Sequence, residues 1–214
     1  MLDFKVDEID LFPNHIWVSE ISNIDNESIA EYVNKIKDHD PKGIGRSNIG
    51  GWHSHSYEVL EPLADDLKNL LEESTEFVND YCAEKTKVSD LMIGNYWFIV
   101  NSKYNYNAYH NHQGSFLSAA YYVQAEGDVG QFFIERGDSA EYYFKDRTGK
   151  SEFTATNFNI VPKTGNFILF PSWLKHGVGQ NLTDKDRIVL SINYVLPLDV
   201  TGKRYEEIKV GTNR

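Results

Sequence analysis

The texture of this chain changes at Leu91, and that change constrains the fold more than any other feature. From there on, short runs rich in β-branched and aromatic residues follow one another with turn formers between them. They are IGNYWFIV, SFLSAAYYV, GQFFIE, EYYFK, FTATNFNIV, GNFILF and RIVLSINYV. Runs of this length and spacing predict an antiparallel sandwich or barrel. The last run alternates cleanly: Arg187, Val189, Ser191, Asn193 and Val195 face one way, Ile188, Leu190, Ile192 and Tyr194 the other. A face that carries Arg, Ser and Asn is too polar for an ordinary core. The guanidinium there would suit a bidentate carboxylate partner. The nearest acids along the chain are Asp184 and Asp186 in the preceding turn.

Before Leu91 the periodicity is helical. Ile29, Tyr32, Val33 and Ile36 form one face of a helix that Asp25 would cap. A turn-rich loop, DPKGIGRSNIGGWHSHS, separates it from a second helix expected to start at Pro62 and end near Lys85. Leu63, Leu67, Leu70, Leu71, Ser74, Val78 and Tyr81 trace its buried stripe. The expectation is one domain over 1–214: a helical part at about 22–86 packed on a barrel core at about 91–197.

Composition narrows the function. The net charge is −11, which repels phosphate backbones and anionic membrane surfaces, so nucleic acid is disfavoured as a partner. The lone Cys82 excludes an intramolecular disulfide and any cysteine-based metal cluster. The first residues, MLDFKVDEIDLFPN, are acidic where a signal peptide needs a basic start and an apolar run. No stretch approaches the ~20 apolar residues that span a bilayer. A soluble, cytoplasmic protein is expected.

The chemistry concentrates in the histidines. Two pairs have His-x-His spacing, His53/His55 and His110/His112. On a strand, such a pair sets two imidazoles on one face, as a metal requires. His53/His55 sits in the Gly/Ser-rich loop, with no strand to fix it, and a polar loop is the simpler reading. His110/His112 precedes SFLSAAYYV, and His176 follows GNFILF in FPSWLKHGV. Two ligands from one segment and one from a distant strand would leave open positions opposite. That is the arrangement of non-haem iron oxygenases, normally two His and one carboxylate.

These residues together resemble the 2-oxoglutarate/Fe(II)-dependent oxygenases of the double-stranded β-helix fold, a jelly-roll or cupin-like barrel. The similarity is to a small oxygenase subgroup found in bacteria and phages. It rests on Trp97, Asn107, His110, His112, Ser115, Leu117, Ser118, Tyr121, Tyr122 and Val123. It continues through Pro171–His176 and then Arg187, Ile188, Ser191 and Asn193, with GGWHS at Gly50–Ser54 as a further part. The resemblance implies a mostly β fold with two helices packed on the barrel. It implies Fe(II) held by His110, His112 and His176, and 2-oxoglutarate with its distal carboxylate gripped by Arg187. Asn193 would hold the metal-proximal end of the cosubstrate, and Tyr122 would add a hydroxyl. The chain departs from the superfamily at His112, where a carboxylate is usual. Glu135 is the alternative carboxylate ligand.

The implied activity is that of a dioxygenase, a hydroxylase acting on a small molecule or a protein side chain. Two other readings stay open: a cupin-like three-histidine metal dioxygenase that does not use 2-oxoglutarate, and a non-enzymatic jelly-roll binding protein. The sequence leaves the substrate and the oligomeric state open.

Overall fold

A computed structural model of the chain describes residue 10 and residues 12–57, 63–138, 151 and 154–197. In chain order the elements are β1 (Trp17–Glu20), α1 (Asn26–His39), β2 (Asn48–Ile49), β3 (Trp52–His53), α2 (Asp65–Thr86), β4 (Met92–Asn101), β5 (Tyr106–His110), β6 (Leu117–Gln124), β7 (Phe132–Glu135), β8 (Asn157–Ile160), β9 (Asn166–Pro171), β10 (His176–Val178) and β11 (Arg187–Val195). They form two antiparallel sheets. The larger runs β1-β9-β6-β11-β4-β3 and the smaller β2-β5-β10-β7-β8. The two helices and mostly β architecture agree with the expected jelly roll.

Strand alternation divides the core in two. On the outer face of the larger sheet, Ile188, Leu190, Ile192 and Tyr194 of β11 pack with Phe98 and Val100 of β4 and Phe167 and Leu169 of β9. Ile29, Val33 and Ile36 of α1 and Leu67, Leu71 and Val78 of α2 cover them. On the inner face, Trp97, Ile99, Ala120, Tyr122, Ile168, Phe170 and Val189 meet Phe132 and Ile134 of the smaller sheet. A strand buried on both sides needs an apolar residue at nearly every position, and β11 has one wherever it faces the helices. Its polar positions all face the barrel interior.

The first helix is capped as expected: the Asp25 carboxylate accepts from the Ser28 amide at 3.0 Å. The second begins later than expected, at Asp65, with Ala64 at the N-cap; Pro62 lies outside the described residues. Its buried stripe ends on Cys82, four residues past Val78, while Tyr81 is 63% exposed. The run EYYFK also lies outside the described residues. The short strands β5 and β10, like β2 and β3, carry no apolar run. Both β5 and β10 carry site residues.

Candidate metal centre

His110 closes β5 and His176 opens β10, and the two are direct cross-strand partners. His112 lies off the strand, two residues beyond its end. It is not held by the strand alternation expected of a His-x-His pair. Its amide donates instead to the Ser172 carbonyl at 3.0 Å, which ties the loop to the segment before His176. The three rings converge, with centroids 4.4 Å apart for His110–His176, 5.0 Å for His112–His176 and 5.2 Å for His110–His112. One ligating atom from each lies within 4.8 Å of the others.

Hydrogen bonds fix which nitrogen of each ring is bare. His110 Nδ1 donates to the Ala108 carbonyl at 2.7 Å and His176 Nδ1 to the Leu174 carbonyl at 2.9 Å. A carbonyl oxygen only accepts, so both rings carry the proton on Nδ1 and a lone pair on Nε2. His112 Nδ1 meets Asn193 Oδ1 at 2.7 Å and Ser118 Oγ at 2.8 Å. Asn193 gives its own Nδ2 to Asn95 Oδ1 at 2.8 Å, leaving Oδ1 as acceptor. His112 Nε2 therefore faces His110 Nε2 at 3.2 Å with no proton between them. Two lone pairs at that separation repel unless a cation lies between them. The donor set fits a divalent transition metal of the kind imidazole favours.

Burial keeps the ligands neutral. It lowers His110, takes His112 to about 4 and takes His176 to about 3, with the neighbouring imidazoles pushing the last two further down. Phe170 and Phe132 wall the His176 ring at 4.5 Å and 5.3 Å. No carboxylate belongs to the group among the described residues. Glu135 is exposed at the end of β7, next to Ile134, the strand partner of His176, and points the other way. Glu135 as an alternative ligand is not supported.

The inner face of β11 forms a ladder of rungs. Arg187 lies opposite Asn101. Val189 lies between Ile99 and Tyr122, Ser191 between Trp97 and Ala120, and Asn193 between Asn95 and Ser118. A narrow cavity lined by Ile99, Tyr122, Val189 and Ser191 runs beside this ladder to the histidines. Behind Asn107, which lines it, the Arg187 guanidinium is completely buried. Nη1 donates to the Val129 carbonyl and, at 2.9 Å, to the Gly179 carbonyl; Nη2 reaches Asn107 Oδ1 at 3.4 Å; Nε has no partner. Gly130, at φ +84°, permits this: a Cβ there would sit 2.2 Å from the Gly179 carbonyl oxygen. The turn acids do not pair with Arg187. Asp184 holds Lys103 at 2.8 Å and Asp186 holds Lys37 at 3.8 Å. Among the described residues no carboxylate neutralises Arg187, and an uncompensated buried cation is costly. Nearby, the buried Tyr122 hydroxyl has no partner and is pushed up to about 12 by burial, with Arg187 pulling it down.

The Asn193 amide is committed to His112, Ser118 and Asn95 and orients the His112 ring. The His53/His55 pair separates. His53 sits on the short β3, which the sequence did not signal, and stacks on Trp97 at 5.6 Å and 7°. His55 is exposed and lies 3.6 Å from Asp40. Two further contributors, Asn107 and Ser118, carry part of the sequence motif without a legible role. A register shift between β5 and β10 supplies that of Asn107: the four residues Asn107–His110 of β5 oppose the three residues His176–Val178 of β10. Such a bulge turns both Asn107 and His110 inward, where plain alternation would separate them.

Residues 95–193 match the family described as "Putative 2OG-Fe(II) oxygenase". No curated protein shows a significant sequence match. Among solved structures, the chain is similar to a prolyl-4-hydroxylase from Pseudomonas putida, with 12% identity, a TM-score of 0.55, and coverage of 83% of this chain and 91% of that one. It is similar to a prolyl hydroxylase from Trichoplax adhaerens in complex with a hypoxia inducible factor peptide fragment, with 12% identity, TM-score 0.59 and coverage of 84% and 83%. It is also similar to HygX from Streptomyces hygroscopicus with nickel and 2-oxoglutarate bound, with 12% identity, TM-score 0.52 and coverage of 85% and 83%. At these identities the likeness establishes the fold.

Proposed function

We propose that this chain, which belongs to the 2-oxoglutarate/Fe(II)-dependent oxygenases, binds Fe(II) through His110, His112 and His176 and grips the distal carboxylate of 2-oxoglutarate with Arg187 and Tyr122, as a hydroxylase. The observation that carries this reading is three bare Nε2 atoms lining one cavity with Asn107, which contacts a buried guanidinium that no carboxylate among the described residues neutralises. When bound, the metal and cosubstrate couple the decarboxylation of 2-oxoglutarate to succinate and CO₂ with insertion of one oxygen atom of O₂ into a substrate C–H bond.

The protein's part is binding, orientation and exclusion of water. Carbonyls of Ala108 and Leu174 and the Asn193 amide hold the imidazoles at fixed tautomer and angle. Phe132 and Phe170 keep that end dry. The Val129 and Gly179 carbonyls and Asn107 fix the Arg187 guanidinium behind the cavity wall. In this reading helices and barrel work as one domain, because α1 and α2 cover the outer face of the sheet whose inner face carries the ladder. Solved relatives carry a peptide fragment or hygromycin B. The substrate here is proposed to be a protein side chain or small molecule rather than nucleic acid, given the net charge of −11.

The test has two arms. Purified protein should take up roughly one Fe(II) per chain, and His110→Ala or His176→Ala should lose it, as read by elemental mass spectrometry. Anaerobic Fe(II) protein should bind 2-oxoglutarate, seen in its charge-transfer band, with Arg187→Lys weakened because an ammonium presents one point charge where the guanidinium presents a fork. Wild-type metal content in both histidine variants refutes the centre. Metal without 2-oxoglutarate binding transfers the three-histidine set, which contains no carboxylate, to a dioxygenase of the cupin type.

A further inference from the structure

One buried donor on a cavity-lining residue is explained neither by the metal nor by Arg187. The Trp97 indole N–H is buried and has no hydrogen-bond partner among the described residues. Trp97 lines the cavity and approaches His112 edge-on, with ring centroids 5.3 Å apart. Its other face is fixed by the parallel stack on His53. Directly opposite it on β11 is Ser191, which lines the same cavity. Cross-strand partners of this kind have Cβ atoms about 5 Å apart, so indole N–H and hydroxyl can converge on one acceptor. The rung they form lies one step, about 7 Å, from Asn193, which holds His112, and on the Arg187 side of it. A buried donor without a partner is disfavoured by about 1–3 kcal/mol. Its retention beside the ligands points to a bound acceptor. Asn193 is not free to hold the metal-proximal end of a 2-oxo acid, since both ends of its amide are committed.

We infer that Trp97 Nε1–H and Ser191 Oγ–H are the donors that hold the 1-carboxylate of the 2-oxo acid beside the metal. The inference rests on the proposed function and assigns the half of the cosubstrate that Arg187 does not reach. Three neutral imidazoles bring no negative charge to the metal, so the cosubstrate's own carboxylate is the anion of the site. Fixed donors set which way it turns. Trp97→Phe keeps an aromatic ring against His53 and loses only the donor.

The experiment is calorimetric titration of the Co(II)-loaded protein with two probes, 2-oxoglutarate and oxalate. Oxalate offers the metal-proximal carboxylate but has no distal one. Trp97→Phe should weaken both probes by about ten- to a hundredfold, the scale of a hydrogen bond to a charged group. Ser191→Ala should weaken both by less. Arg187→Lys should weaken 2-oxoglutarate alone. Cobalt content and circular dichroism report whether Trp97→Phe retains its fold; if it does not, Ser191→Ala decides, and unchanged affinities in that variant overturn the inference. Unchanged affinities in a folded Trp97→Phe overturn it too, as does loss confined to 2-oxoglutarate, which would place the indole on the distal half. If the wild type binds oxalate but not 2-oxoglutarate, the proposed function fails while the donor pair is still tested by oxalate. If it binds neither, both fail.

Discussion

Tyr122→Phe separates stability from binding with one oxygen atom. The Tyr122 hydroxyl is fully buried and has no hydrogen-bond partner among the described residues, so the protein bears the cost of its desolvation without a compensating bond. Removing such a group recovers about 1–3 kcal/mol. The ring stays packed between Val189 and the aromatic wall, so little is lost against this. For a chain of this length each kcal/mol moves the melting point by about 2–4 °C, and the metal-free variant should melt several degrees above wild type. Affinity for 2-oxoglutarate should move the opposite way. A hydrogen bond to a carboxylate contributes about 1.5–3 kcal/mol, so the dissociation constant should rise by about ten- to a hundredfold. The assays are a thermal melt in chelator and calorimetric titration of 2-oxoglutarate into Co(II) protein. The opposed signs are the signature of a donor reserved for a ligand. A variant that melts lower and binds 2-oxoglutarate as well as wild type would refute the reasoning, because the hydroxyl would then have a structural partner.

His112→Asp should retain Fe(II), since it places the superfamily's usual carboxylate there, whereas His112→Ala should lose it; equal loss in both, by elemental analysis, would mean the position requires an imidazole. Asn193→Ala removes the acceptor that orients His112 Nδ1 and should weaken metal binding by about 10–100-fold, read by competition with a chelating dye. Stability of the metal-free protein should fall as the pH drops below about 6.5. Burial lowers His53, His110, His112 and His176, so the fold holds them neutral while the unfolded chain protonates. Stability is therefore full above the unfolded value and lost on acidification, at up to about 1.4 kcal/mol per pH unit for each imidazole. Melts in chelator between pH 7.5 and 5.5 should show the decline, and a flat profile would contradict the buried neutral state.

Much of this protein is written in local pattern. The period-two alternation of β11 alone separates a helix-facing side, Ile188 to Tyr194, from a polar interior side, Arg187 to Asn193, and the structure keeps that division. The α1 face and its Asp25 cap follow from a period of 3.6 and one short acid. His110, His112 and His176 could be picked out as a set because imidazoles flanking strand signals are few. The features that make them a site depend on register between segments distant in the chain. The β5 bulge turns Asn107 and His110 inward together, and no alternation within β5 could show it. Asn193 stands beside His112 because β11 and the loop after β5 meet across 81 residues, and that proximity spends the amide expected to hold the cosubstrate. His53, on a strand two residues long, is buried by its pairing with β4 rather than by its own loop. Side-chain identity and spacing determine which faces are apolar and which residues can bind a metal. Only the packed sheets decide which polar groups find partners, and therefore which, Arg187, Tyr122 and Trp97 among the described residues, retain a buried donor without one.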